Sequence, residues 1–173
     1  MPTPLEILLD PVSLTLFAIY GALILLEALF PARRLPRIPG WHARSLAVFA
    51  VYFFLSSYLP LFWGEALGAL RLFDAQSLNP VVGTVIGVLL FEFFVYVYHR
   101  AVHTSHALWR MCHQMHHSAE RVDTFGAFYF SPLDIVGFAL LSSLALSLVG
   151  LPAQSVVWTL YVTTFLAIFQ HTN

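Results

Sequence analysis

Hydrophobic positions in this chain gather into long runs separated by short polar or proline-bearing connectors, instead of alternating with polar ones. The first run, Val12 to Phe30, is close to the ~20 apolar residues that cross a hydrocarbon core of about 30 Å, and Pro31 stops it. Glu27 lies near its end, within reach of the interface. The connector from Pro31 to Arg44 carries Arg33, Arg34, Arg37 and Arg44 among prolines and a glycine, and His42 reads there as a solvated loop residue. A second run extends from Ser45 to about Trp63, with aromatic residues at both ends as in an interfacial belt and with Pro60 as a kink or a stop. Residues 64 to 80 are more polar and form an outer connector, with Leu67 to Phe73 along the interface.

The third run, Val81 to Tyr98, leads straight into a crowd of histidines. After a mixed segment, Ser118 to Pro132, two further apolar stretches follow, Leu133 to Val149 and Ala153 to Phe169, around Gly150-Leu151-Pro152. Each is short for a span, so they either cross as a tight hairpin or dip in and return. The pattern predicts an all-α integral membrane protein with four to five transmembrane or hairpin helices and a histidine-rich helical region. It divides into N-terminal membrane helices and connectors over residues 1–80 and a histidine-bearing part over 81–173.

Composition supports the membrane reading and removes other classes. With 59% hydrophobic and 10% charged residues and a mean hydropathy of +0.78, too little polar surface remains to cover a soluble domain. A formal net charge of -1 gives no basic excess for phosphate, so no nucleic-acid partner is expected. Residues 1 to 11 hold Glu6 and Asp10 and no basic residue, unlike a secretory signal, so the first run is expected to stay as a membrane helix. The four arginines of the first connector mark a cytoplasmic loop. Arg100, Arg110 and Arg121 then place the histidines on that same side, leaving Arg71 alone on the other. The lone Cys112 excludes an internal disulfide and reads as a buried, inert thiol.

His99-x-x-x-His103 and His113-x-x-His116-His117 carry the chemistry. Residues four apart on a helix are about 40° apart in projection, so His99 and His103 share one face and His113 and His117 another, with His116 beside them. Buried imidazoles each need partners that this segment does not offer, which points to metal. An all-nitrogen set suits iron, copper, zinc or nickel. The two final apolar stretches return the chain to the histidine side and bring back His171, and six candidates exceed the three or four ligands of one zinc site, which favours two ions. His106 joins the His99 stripe only if the helix continues past Thr104-Ser105. Glu92, seven residues before His99 on the same face and about 10 Å from it along the axis, reads as a supporting residue beyond the ligands, because an ionisable group inside a membrane helix is a functional hypothesis. Asp123 is either a hydrogen-bond partner of a ligand imidazole or a solvated carboxylate. Tyr96, Tyr98 and Trp109 read as interface anchors or packing residues.

The array Tyr98-His99-Arg100-x-x-His103, Leu108-Trp109-Arg110-x-x-His113-x-x-His116-His117-Ser118, Pro132-Leu133-Asp134 and Phe169-x-His171-x-Asn173 resembles the fatty acid hydroxylase, or sterol desaturase, superfamily over about residues 81 to 173. The resemblance implies a di-iron centre at the cytoplasmic face that uses dioxygen to hydroxylate or desaturate an alkyl chain of a lipid. It implies His99, His103, His113, His116, His117 and His171 as ligands, with Asn173 close behind the last. It gives no place to His106, and an acidic residue at position 92 fits it. Two departures stand out: Tyr129 and Ser131 lie where the family often has arginine and histidine, and no further HxxHH box follows before Asn173. On this resemblance the expectation is a partial sequence, whose 173 residues alone bind iron poorly and turn over no substrate.

Electrons are expected from an external ferredoxin or cytochrome, because the chain has no nucleotide-binding glycine motif. An acyl-lipid desaturase is an alternative with similar boxes. A zinc hydrolase is disfavoured by the absence of HExxH and of a carboxylate inside either box. A non-catalytic metal or haem carrier is the remaining reading. Membrane lipids are expected neighbours, and the compact arginine-rich loops fit a bacterial inner membrane.

Overall fold

A computed structural model describes residues 1–173. The protein is all-α, and four of its helices are long and apolar enough to cross a membrane. A short helix α1 (Pro4–Leu9), opened by a Thr3/Glu6 capping box, leads into α2 (Pro11–Leu29), which Asp10 caps by accepting from the Val12 N–H at 2.8 Å. Helix α3 (Trp41–Gly68) follows, and Asn79 caps α4 (Pro80–Thr104) in the same way, accepting from Val81 at 2.9 Å. A short helical segment joins α5 (His106–Leu108), a π-helical turn (Trp109–His113) and α6 (Gln114–His117). The chain ends in α7 (Pro132–Val149) and α8 (Ala153–Phe169). Proline stands at the first position of α2, α4 and α7, where its missing N–H costs no helical hydrogen bond.

Small residues set the helix spacing. In α4, Gly83 and Gly87 lie against Ser155 and Thr159 of α8, so closely that a methyl group at either glycine would overlap the facing hydroxyl. The Ser155 hydroxyl donates to the Pro80 carbonyl at 3.1 Å. This is a small-residue seam of the kind that brings membrane helices together where lipid offers no hydrophobic driving force, and the Gly-x-x-x-Gly spacing was present in the sequence. The register shows α4 and α8 running parallel, with α7 antiparallel to both.

Three features add to the pattern of apolar runs. Pro60 does not end the second helix: α3 continues through it to Gly68, and Pro60 lines a central cavity. The outer connector straps the α7–α8 turn, since the Leu72 and Phe73 N–H groups donate to the Leu148 carbonyl and the Gln76 side chain donates to the Gly150 and Leu151 carbonyls. Gly150 makes that turn at φ +61°, a left-handed conformation suited to glycine. The mixed segment after the histidines is a buried insert. Its 3₁₀ turn (Thr124–Gly126) delivers Ala127 and Phe128 into a core with Tyr20, Leu23 and Ile168, and Phe128 stacks on Tyr52 at 4.3 Å.

Candidate metal centre

Helix α4 runs beyond its expected span through His99 and His103, whose Nε2 atoms approach to 2.9 Å. Ser105 turns extended, ends α4 and caps α5, so His106 leaves the stripe. The π turn that follows widens the helix where His113 must reach inward; such single turns recur at functional sites. His113 is fully buried, and its Nδ1 meets the carboxylate of the equally buried Asp134 at 2.7 Å. His117 completes the group, with Nε2 3.1 Å from His103 Nε2. The ligand atoms of His99, His103, His113 and His117 all lie within 4.8 Å of one another.

His116 does not share that group, although one helical face was expected to hold all three histidines of its box. It turns to His171, Nε2 to Nε2 at 3.4 Å. Its ring lies 5.2 Å from that of His113, so the pair adjoins the group of four. The His171 Nδ1–H donates to the Ala167 carbonyl at 2.7 Å, which leaves Nε2 as the free acceptor facing His116.

These residues fit a bound transition metal on their own chemistry. With Nδ1–H given to Asp134, His113 presents an unprotonated Nε2, which is buried and has no hydrogen-bond partner. Burial first, and then the neighbouring histidines, hold His117 below the usual imidazole range. The same order of causes, with His171 the largest neighbour, pushes His116 down to about 3. Neutral imidazoles with converging lone pairs are the form that metal ions take up.

Several supports were not legible in the sequence. The Tyr98 hydroxyl donates to the second oxygen of Asp134 at 3.1 Å, and its ring rests directly on Gly137, where any side chain would displace it. Ser131 caps α7 through the Asp134 N–H and donates to the Cys112 carbonyl at 2.6 Å, tying the π turn to α7. The Ser-Pro-x-Asp spacing of a helix start was the available signal for both residues. Trp109 packs on His103 and His117, each at 5.0 Å. Phe130 stacks on His116 at 4.4 Å.

The other expected residues lie elsewhere. Asp123 touches no imidazole; it is buried and accepts from Trp41 Nε1, Arg121 and the Gly126 N–H, fastening the insert to α3. Asn173 pins the segment behind His171: its N–H donates to Glu27 at 3.1 Å, its carbonyl accepts from Ala32, and its side chain donates to the Arg33 carbonyl at 2.8 Å. Glu27 also accepts from the N–H and hydroxyl of Thr124, at 2.7 and 2.6 Å, so it anchors α2 to the insert. Glu92 bonds no histidine and faces the cavity. His42 stacks on Phe125 at 4.3 Å, on the outside of the insert.

That cavity, about 1030 Å³, runs between α3, α4, α7 and α8. His99, His113, His116, His117 and His171 line one end, and Gly68, Arg71 and Gly150 the other.

Comparison with known proteins gives one relative and one family. A stretch of 89 residues, 51% of the chain, is 33% identical to the ornithine lipid hydroxylase OlsE of Rhizobium tropici. The match spans about a quarter of that relative's length, 27%. No solved structure matches the chain. The model of the fatty acid hydroxylase family matches residues 84–173, which hold every histidine of the two groups, and the chain belongs to that family.

Proposed function

We propose that the protein is a membrane oxidoreductase that hydroxylates an alkyl chain of a lipid with dioxygen, using two iron ions. The observation that carries this reading is the opening of one lipid-sized cavity onto both histidine groups. His99, His103, His113 and His117 would hold one ion. His116 and His171 would contribute to the second. Iron, when bound, supplies the oxidising chemistry toward an unactivated C–H bond.

The chain's own residues do the positioning. The space enclosed by α3, α4, α7 and α8 receives the lipid chain lengthwise, and Phe130 and Phe138, 5.3 Å apart, shape its histidine end. Asp134 keeps the proton of His113 on Nδ1. The strap of residues 72 to 76 braces the α7–α8 turn at the opposite end. In this reading the histidines face the cytoplasm of a bacterial inner membrane, because Arg71 alone lies at the far end. A ferredoxin or cytochrome brings electrons to that face.

Feeding isotopically heavy dioxygen to cells that carry the gene tests the reaction. A lipid heavier by one labelled oxygen atom is the expected product, and it should vanish in cells carrying His113→Ala. A lipid lighter by two hydrogens and free of label would assign desaturation instead. No gene-dependent change in any lipid would overturn the oxygenase reading.

A further inference from the structure

Glu92 stands at the midpoint of α4, as far from Pro80 as from Thr104, and its carboxyl faces the cavity with no hydrogen bond or ion pair inside the chain. The other acid that lines this cavity, Asp123, is fully engaged by Trp41, Arg121 and Gly126. Helix registers show what surrounds Glu92. Gly83 faces Ser155 and Gly87 faces Thr159, so the parallel register of α4 and α8 puts Glu92 at the level of Thr164. Tyr98 meets Asp134 and Gly137, so the antiparallel register of α4 and α7 puts Glu92 at the level of Ser142 and Ser143. Thr164 and Ser143 line the cavity and make no side-chain hydrogen bond within the chain. Gly64 of α3 also lines the cavity, and a methyl group there would meet nothing within 4 Å.

This depth therefore holds a carboxyl and two hydroxyls around empty space. A bare hydrocarbon chain would leave all of them unsatisfied, which is costly in a membrane interior. We propose that the middle of the cavity receives a hydrogen-bond-donating group of the lipid, an ammonium, a hydroxyl or an amide N–H, which Glu92 accepts about 10 Å along α4 from His99. The bond fixes where the chain lies lengthwise and so selects the carbons offered to the histidines. Glu92 is on this account a specificity-determining residue. The inference rests on the cavity being the lipid site.

Binding tests it without turnover. The full chain in lipid nanodiscs is loaded with a fluorescent long-chain alcohol, which is then displaced by octadecylamine, octadecanol or octadecane, probes of equal chain length that differ only in the donor group. The amine and the alcohol should each displace at concentrations about tenfold or more below the alkane. In Glu92→Leu the three should converge to within about twofold. Glu92→Gln, which preserves size and so guards against a misfolded leucine variant, should keep the preference for the alcohol and lose the extra advantage of the amine. An amine advantage greater than that of the alcohol identifies an ammonium as the donor received, and equal advantages identify a neutral donor. Equal displacement by all three from the unaltered chain, or a preference that survives in Glu92→Leu, overturns the role of Glu92 while leaving the cavity as a lipid site. Absence of saturable binding of the fluorescent alcohol overturns both.

Discussion

Replacing His113 with alanine in the protein in its own membrane should remove metal and product together. His113 is the one fully buried member of the group of four, and its unpartnered Nε2 converges with those of His99, His103 and His117. Its ring also lies 5.2 Å from that of His116, so its loss opens the wall between the two groups. Removal of residues that only support a ligand costs 10- to 100-fold in metal affinity in known sites; loss of this ligand should cost more than about a hundredfold. Metal content by elemental analysis and product by lipid mass spectrometry are the paired measurements. His106→Ala is the control, because that residue is exposed and outside both groups. Full metal occupancy in His113→Ala would sink the assignment.

The second large effect is expected at Asp134. Its carboxylate accepts from His113 Nδ1 at 2.7 Å and from the Tyr98 hydroxyl at 3.1 Å, with both side chains of the His–Asp pair buried. Such a partner fixes the tautomer and raises the basicity of a ligand imidazole. In Asp134→Asn the amide either turns its N–H₂ toward His113, which then protonates Nε2 and loses its lone pair, or keeps a weaker, uncharged acceptor there. A 10- to 100-fold loss of metal affinity is the expected outcome, with helix content unchanged by circular dichroism. Tyr98→Phe removes one neutral hydrogen bond to the same carboxylate and should weaken metal binding by less. If Asp134→Asn binds metal as tightly as the unaltered protein, the carboxylate does not set the imidazole.

Much of this architecture was visible in the apolar runs, because a membrane-spanning helix writes its length directly into the sequence. α2, α4, α7 and α8 begin and end within a few residues of the runs, apart from the histidine-bearing extension of α4. At Pro60 a kink and a stop were both open, because local sequence does not decide whether a helix resumes past the lost N–H, and α3 continues through it. The insert from Ser118 to Ser131 was illegible for another reason. Its order comes from partners far along the chain, Glu27 and Trp41 among them, and irregular backbone has no period to read.

At the site, spacing sufficed for His99 and His103, which share the face of a regular helix. It failed for His116, since a π turn just before it and the approach of α8 carry it to His171. Ser105 shows why His106 falls out of the stripe: the residue turns extended, and the 3.6-residue period ends there. Asp134 belongs to the Pro132-Leu133-Asp134 motif, but its role depends on α7 crossing the π turn, a tertiary fact that no local pattern encodes.

The central claim is that two adjacent histidine groups, four and two strong, each take a metal ion. Metal content of the protein purified from its own membrane, read with X-ray absorption at the metal edge, addresses it directly. The account predicts two iron ions per chain with nitrogen ligands from imidazole, and loss of one of the two in His171→Ala. A single zinc ion per chain, or iron held only as haem, would contradict it.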